Sequence, residues 1–223
     1  FSWDHVAVVR GPADTRDAHL YTDGQRLYCV GFILSGYGSP ESKTASGCAY
    51  TSDGDLWTSW RPYKGTGSDV LWRPQAFDGR HYCAAYTRGE RKIDWYESRN
   101  GTDWKRIRTL YKGPDQPSEC CLEIGEEGRA TMLMRCEAGP HQPRLWTSRF
   151  PFRQWRQQVL KDVSATGPCL WTIDDEIYIG VRCHSLEGLP ARSIAAFAGN
   201  SQTTIFRIVH GKPRLEWVLP TGP

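Results

Sequence analysis

Charged side chains of both signs cluster near the ends of β-type hairpins along this chain of 223 residues. Arginines that converge on one point can grip a carboxylate through paired hydrogen bonds. Carboxylates held close together can transfer protons to and from a glycosidic bond. These residue types indicate a site for a polar ligand such as a sugar, provided that the fold brings them together. The set consists of Asp14, Arg16, Asp17, Asp69, Arg73, Glu119, Arg135 and Arg182.

Four strand-type hairpins with acidic or glycine-containing turns are the elements that must position this set. Asp-Gly between apolar segments is a strong hairpin signal. A third strand follows each hairpin, and then a polar turn and a tryptophan. Four short strands per unit of ~45–50 residues, without helical periodicity, predict an all-β fold, a β-propeller of four-stranded antiparallel blades. The turns are centred on Asp23-Gly24, Asp78-Gly79, Glu127-Gly128 and Asp174-Asp175, and the tryptophans are Trp57, Trp104, Trp155 and, less regularly, Trp217.

The number of blades stays open at this stage. Trp3 in FSWDHVAVV indicates a further fourth strand, so five fourth strands accompany four sets of the first three. The sequence predicts one propeller domain over residues 1–223, with four recognisable blades plus an N-terminal fourth strand, and five blades if complete. An incomplete ring would favour self-association.

Folding each hairpin at its turn predicts where the charged side chains lie. The first strand of an antiparallel pair starts at the edge where the second strand ends. All eight side chains are therefore expected around one axial mouth. The expected neighbours are Cys136 and Arg135 for Glu119, Val30 for Asp17, Ala84 for Arg73, and Gly167 with Pro168 for Arg182.

The composition restricts the class of partner. The chain has 28 Lys and Arg against 25 Asp and Glu, so its net charge of +3 favours neither nucleic acid nor a membrane as the main partner. The sequence shows no apolar run long enough to span a membrane and no visible leader. Ten tryptophans and ten tyrosines favour strands and carbohydrate-like stacking surfaces.

The cysteines and histidines predict no metal and no cofactor. Cys29 and Cys83 occupy the same place in successive hairpins, which indicates reduced, packed thiols and favours a reducing compartment such as the cytoplasm. The six histidines lack metal-ligand spacing, and Cys120-Cys121 has no second cysteine pair close by. Neither a glycine-rich phosphate loop nor a nucleophile elbow is present.

Three turns before the tryptophans carry a resemblance. SDGDLW (Ser52–Trp57), SRNGTDW (Ser98–Trp104) and the less regular SRFPFRQW (Ser148–Trp155) resemble the Asp-box turn of sialidase-type propellers. With the ordered hairpins, the whole chain resembles the sialidase-like (BNR/Asp-box) superfamily, which is related to propeller glycoside hydrolases. In that family the Asp or Asn side chain caps a tight turn, and the tryptophan packs between sheets.

The resemblance implies roles for the charged set. Arg16, Arg135 and Arg182 would bind a sugar carboxylate, with Arg73 and Asp69 as further substrate-binding residues. Asp17 would be the acid/base, with Asp14 as its rival, and Glu119 the helper carboxylate. The tyrosine nucleophile of the family has no match before the sequence stops after LPTG. A five-bladed hydrolase mechanism would instead use Asp17 and Glu119 as its two carboxylates.

Three function classes follow from these observations. The first is an exo-acting glycoside hydrolase of sialidase-like type, acting on an acidic or neutral sugar. The second is a glycan-binding propeller that has the pocket without the chemistry. The third is an incomplete propeller that serves as an interaction or assembly module.

Overall fold

The computed structural model describes residues 7–36, 43–185 and 202–219, and these residues form strands and turns. The described ranges include no helix with the length and apolarity that a membrane crossing requires. The predicted N-terminal strand around Trp3 lies outside them. The strands are β1 (Asp14–Thr22), β2 (Leu27–Ser35), β3 (Lys43–Thr51), β4 (Arg61–Pro62), β5 (Val70–Phe77), β6 (Arg80–Tyr86), β7 (Lys92–Ser98), β8 (Trp104–Lys112), β9 (Pro117–Ile124), β10 (Arg129–Cys136), β11 (Arg144–Arg149), β12 (Trp155–Val159), β13 (Ser164–Ile173), β14 (Glu176–Ser185), β15 (Gln202–Val209) and β16 (Lys212–Val218).

The strands of the described residues form four antiparallel sheets of four strands each. Each sheet takes its strands in chain order: β1 to β4, β5 to β8, β9 to β12, and β13 to β16. This confirms the predicted all-β class and the four-stranded blades. The chain divides into two compact units, which we describe separately. Unit 1 comprises β1 to β6 with most of β7 and β8, and unit 2 comprises β9 to β16.

The predicted hairpin turns are confirmed, each with the backbone geometry that its residues favour. Asp78 and Gly79 both have positive φ (49° and 68°), as do Asp174 and Asp175 (49° and 63°). Two consecutive left-handed residues make a turn whose twist matches that of the paired strands. At the first hairpin, Asp23 Oδ1 accepts hydrogen bonds from the backbone N–H groups of Gln25 and Arg26, at 2.9 and 2.7 Å.

Aromatic rings and their polar tips fill the core of unit 1. Tyr21 and Tyr28 stack with 4.7 Å between ring centroids. The Tyr28 hydroxyl donates to Asp23 Oδ2 at 2.9 Å, and the Tyr21 hydroxyl lies 3.2 Å from His81 Nδ1. Trp104, which the sequence placed after a polar turn, is buried in the same cluster. The Tyr21 and Tyr28 hydroxyls therefore have polar partners in the core, whereas the buried Nε1 of Trp104 has no hydrogen-bond partner among the described residues.

Unit 2 has an aliphatic core that also contains cysteine. Leu133, Ile179 and Phe206 are almost fully buried and belong to one cluster, which includes Cys121 and Cys183. All eight cysteines are free thiols in the structure. Cys121 and Cys183 therefore pack as small apolar side chains.

The turns before the tryptophans are capped by side chains. Asp53 Oδ1 accepts the backbone N–H groups of Asp55 and Leu56, both at 2.9 Å. Asn100 Oδ1 accepts those of Thr102 and Asp103 at 3.0 and 2.8 Å. These hydrogen bonds satisfy backbone donors that the tight turn leaves unpaired. They are stabilising and place no side chain at a reactive position.

Gly47 in β3 leaves no room for a side chain. A Cβ atom at this position would overlap the carbonyl oxygen of Arg61 and the ring of Trp60. We predict that Gly47→Ala lowers the free energy of unfolding by about 2 kcal/mol, because the buried Trp60 ring cannot move freely. Denaturant unfolding measures the change.

Gly125→Ala is the matched control for this prediction. A Cβ atom at Gly125 would approach only one carbonyl oxygen, at 3.9 Å. This change should alter the free energy of unfolding by less than about 0.5 kcal/mol. Equal effects of the two substitutions would show that close packing at Gly47 is not what matters.

Candidate functional site

The first strand of every sheet is interrupted by a β-bulge at the same point. In each case two residues of the first strand lie opposite one residue of the second. A bulge bends the strand and re-aims its side chains. The bulge pairs and the residues they face are Asp17-Ala18 and Gly31, Arg73-Pro74 and Cys83, Ser118-Glu119 and Arg135, and Gly167-Pro168 and Val181.

Three of these bulges begin with a residue in the left-handed region of φ. The values are 54° for Asp17, 52° for Arg73 and 62° for Gly167. Glycine adopts this conformation readily, whereas a side-chain-bearing residue does so at an energetic cost. Two non-glycine residues of the predicted set thus occupy strained backbone positions, which cluster at functional sites in proteins.

Glu119 and Arg135 form the most enclosed ion pair among the predicted residues of unit 2. Arg135 Nη1 donates to Glu119 Oε1 at 2.5 Å. The side chains are 15% exposed for Glu119 and 11% for Arg135, and Arg135 Nε lies 3.9 Å from Glu137 Oε1. The guanidinium therefore fixes the position of the carboxylate, which keeps a small exposed fraction.

A polar cluster around Asp115 fixes the end of β10 beside this ion pair. Asp115 accepts hydrogen bonds from Tyr111 Oη and Arg144 Nε, each at 2.8 Å, and from Cys136 Sγ at 3.2 Å. Burial alone would raise the pKa of Asp115, but these hydrogen bonds hold that pKa below its usual range. Because Cys136 directly follows Arg135, the cluster restricts where the guanidinium can lie.

Arg182 lies beside the bulge of β13 in unit 2. It is paired with Thr166 in the register, and its side chain is exposed. A Cβ atom at Gly167 would come within 2.9 Å of Arg182 Nε. The missing side chain at Gly167 therefore leaves room for the guanidinium. Arg182 lies one residue away from the predicted pairing with Gly167, and its role in ligand binding stays a prediction.

In unit 1, Asp14 and Arg16 neutralise each other near the surface. Arg16 donates to Asp14 Oδ2 from Nε at 2.9 Å and from Nη2 at 2.6 Å. The hydrogen bond from Arg16 holds the pKa of Asp14 below its usual range. Asp14 is therefore a poor proton donor at neutral pH. Asp17, one residue further along, is exposed and sits in the bulge.

His19 is a residue of this region that sequence analysis did not select. Its ring meets Trp72 edge-on at 5.0 Å between centroids, and its Nε2 is buried without a hydrogen-bond partner among the described residues. Burial, with a smaller contribution from the Arg73 guanidinium, lowers the pKa of His19 to about 4. His19 thus connects the bulge of β1 to that of β5. Its position two residues after Asp17 is the feature of the sequence that could have identified it.

Asp69 is the predicted residue whose hydrogen bonds within the fold are most numerous in unit 1. Its carboxylate accepts hydrogen bonds from Thr87 Oγ1 at 2.5 Å and from Tyr96 Oη at 2.6 Å. Its backbone carbonyl accepts a third from Ser46 Oγ at 3.0 Å. These bonds connect Asp69 to β3, to β7 and to the residue that follows β6. A role of Asp69 in substrate binding stays a prediction.

The bulges also correct the register that simple hairpin folding predicts. Beyond the bulges, Cys136 pairs with Pro117 rather than Glu119, Ala84 with Trp72 rather than Arg73, and Arg182 with Thr166 rather than Gly167. The extra residue in the first strand shifts every pair beyond it. Val30 pairs with His19 rather than Asp17 for another reason, because four residues, and not two, connect the Thr22–Leu27 pair of this hairpin. Pro74 and Pro168 were the available signals, because a proline inside a strand pattern marks a bulge.

Comparisons with known proteins identify the fold. No model of a known protein family matches the chain, and no curated protein sequence matches it significantly. A solved structure from the GH130 family, described as targeting β-1,2 mannosidic linkages in Candida mannan, is similar with a TM-score of 0.63 and 15% identity over 93% of this chain and 70% of its own. The Bacillus subtilis arabinanase Arb43A gives a TM-score of 0.55 and 12% identity, covering 85% and 70%.

A third similar structure comes from Bombyx mori. This GH32 β-fructofuranosidase in complex with sucrose gives a TM-score of 0.54 and 13% identity, over 88% of this chain and 49% of its own. The chain thus spans about half of that enzyme. The chain has the β-propeller fold. The resemblance to sialidase-like propellers stays a prediction.

The described residues contain no group of three or more histidine, cysteine or acidic side chains that could hold a metal ion. Each unit instead has carboxylates and guanidinium groups on or beside its bulged strands. Such groups bind sugar hydroxyls and carboxylates, and they can exchange protons with a bound sugar.

The buried His19 generates a pH-dependent stability. In the unfolded chain histidine takes up a proton near its ordinary pKa of 6.5, but in the folded chain only near pH 4. We predict that the free energy of unfolding falls by about 2 kcal/mol between pH 6.5 and pH 4, because the unfolded chain protonates His19 and the folded chain does not. Comparison with His19→Gln isolates its share, since the variant should lose that much less. Parallel pH profiles would contradict the assignment.

Proposed function

We propose that this chain is a carbohydrate-active propeller that hydrolyses glycosidic bonds in an exo-acting manner. The observation that carries the proposal is the ion pair of Glu119 with Arg135 at the bulge of β9. Its carboxylate is fixed in position and partly exposed. The proposal is supported by the fold, since the similar structures named above include proteins described as acting on mannosidic linkages or named arabinanase and fructofuranosidase.

Glu119 and Asp17 are the proposed catalytic carboxylates. Glycoside hydrolases need one carboxyl group that protonates the leaving oxygen and one carboxylate that acts as base or nucleophile. The ion pair with Arg135 fixes the Glu119 carboxylate of unit 2 in position, which suits the second role. For Asp17 of unit 1, the role of proton donor stays a prediction. Asp17 fits this role better than Asp14, whose pKa the Arg16 hydrogen bond lowers.

The sialidase-like form of this proposal assigns a sugar carboxylate to Arg16, Arg135 and Arg182. In the structure Arg16 and Arg135 already bind the carboxylates of Asp14 and Glu119. A substrate carboxylate would have to compete with these ion pairs. The two-carboxylate mechanism on a neutral sugar is therefore the form that we favour, with Arg73, Asp69 and Arg182 as substrate-binding residues. We further propose that residues 1–223 form a single propeller domain.

A glycan-binding propeller without catalysis is the second candidate function. The observation that favours it is the same ion pair, because Arg135 occupies Glu119 Oε1 at 2.5 Å. In this alternative the pair would present fixed donors and acceptors to sugar hydroxyls without any proton transfer.

The substitution Glu119→Gln tests the hydrolase proposal. We predict that turnover of the aryl glycoside that the unmodified protein hydrolyses best falls at least about a hundredfold, since the amide cannot act as base or nucleophile. A panel of aryl glycosides of neutral sugars, with an aryl sialoside included, identifies that substrate. Thermal unfolding of the variant verifies that it is folded at the assay temperature.

Glu126→Gln is the control, because Glu126 is exposed in the turn between β9 and β10. It should keep full turnover. Unchanged turnover in Glu119→Gln would overturn the assignment of Glu119. An unmodified protein that hydrolyses none of the panel, yet binds a glycan through Arg135, would support the second candidate.

A further inference from the structure

An arginine-lined cleft lies at the outer part of the third sheet, where the turn between β11 and β12 approaches the start of β10. Its volume is about 770 Å³. Two aromatic side chains line it as well, Phe150, which is 44% exposed, and the half-buried Trp155. The arginines that line it are Arg129, Arg149, Arg153 and Arg156.

These four arginines have no acidic partner. The lining of the cleft contains no aspartate or glutamate. Among the described residues, no carboxylate forms an ion pair with any of the four. Within the part of the chain that the structure describes, the four positive charges are therefore not balanced by an ion pair.

The strand register places two of these charges directly opposite each other. Arg129 of β10 pairs with Arg149 of β11. Like charges at directly opposed positions of neighbouring strands destabilise a sheet. A bound anion between the two guanidinium groups would remove this repulsion.

In the equivalent cleft of the second sheet, acidic side chains of the protein lie beside the basic ones. Its volume is about 490 Å³, and its lining includes Arg80, Glu97 and Asp103. Arg80 Nη1 lies 3.3 Å from Glu97 Oε2. In the third sheet, Thr147 stands at the position of Glu97 and Gln154 at that of Asp103. The acidic side chains are thus missing where the arginines are most numerous.

From these observations we infer that the cleft is a binding site for an anionic polysaccharide. Guanidinium groups bind sulfate and carboxylate oxygens in pairs, and several of them across a cleft of this size suit a chain of charges rather than one ion. The faces of Phe150 and Trp155 offer flat apolar surfaces for the C–H faces of sugar rings. The near balance of charge, with a net +3, argues against nucleic acid as the main partner.

This site is separate from the proposed catalytic residues. Arg129 starts β10 and Arg135 lies six residues further along the same strand, which corresponds to about 20 Å. The inference therefore stands on binding alone and is independent of whether Glu119 supports turnover.

A matched pair of double variants tests the inference. Arg149→Ala with Arg156→Ala removes two charges from the cleft, and Arg99→Ala with Lys105→Ala removes their counterparts in the second sheet. The probes are a heparin-derived oligosaccharide and an oligogalacturonate, titrated calorimetrically at low salt. We expect the first variant to weaken binding at least about tenfold and the second less than about twofold. Thermal unfolding should show both folded.

The probes also distinguish the anion. Binding of heparin alone identifies sulfate as the recognised group, and binding of galacturonate identifies carboxylate, and either supports the site. Equal losses of affinity in the two double variants would show that binding depends only on general charge attraction, and would overturn the proposed site. Failure of both oligosaccharides to bind, or tighter binding of a DNA duplex with the same dependence on Arg149 and Arg156, would overturn it as well.

Discussion

Each sheet of this protein begins with a strand that carries one residue more than its partner at the same register. The extra residue breaks the strict alternation of side chains between the two faces, and it turns the strand locally. Asp17, Arg73 and Glu119 lie within such bulges, and Arg135 lies opposite one. Without the bulges these charges would follow the alternation of a regular strand, and Glu119 would not meet Arg135 as it does.

Three half-buried acidic side chains differ in the partners that hold them. Asp69 binds two hydroxyl groups, and Asp115 binds a hydroxyl, a guanidinium and a thiol. Such hydrogen bonds stabilise strand ends, because an unsatisfied buried carboxylate would be costly. Glu119 forms an ion pair with Arg135 and is 15% exposed, close to the 18% of Asp115. What distinguishes Glu119 as a candidate for chemistry is therefore its position within a bulge and not a greater exposure.

The distribution of charge matters more here than its sum. A net charge of +3 describes a nearly balanced protein, yet four arginines gather in one cleft of the third sheet without acidic neighbours. The corresponding cleft of the second sheet contains acidic residues that offset its basic ones. Composition can therefore argue against a large basic surface, but it cannot reveal a local one. Repeated sheets make the contrast visible, because each blade serves as a reference for the next.

The sequence by itself determined the all-β class, the four hairpins with their turns and the four-stranded repeat. These features depend on local preferences, such as left-handed Asp78-Gly79 and the alternation of apolar residues, which short segments express on their own. It also identified Glu119 and Arg135 as neighbours. Only the tertiary structure decided the register around them, the burial of His19 beside Trp72 and the hydrogen bonds that Asp69 accepts from two hydroxyl groups. Those outcomes depend on one extra residue per strand and on contacts between distant segments, and no local pattern specifies either.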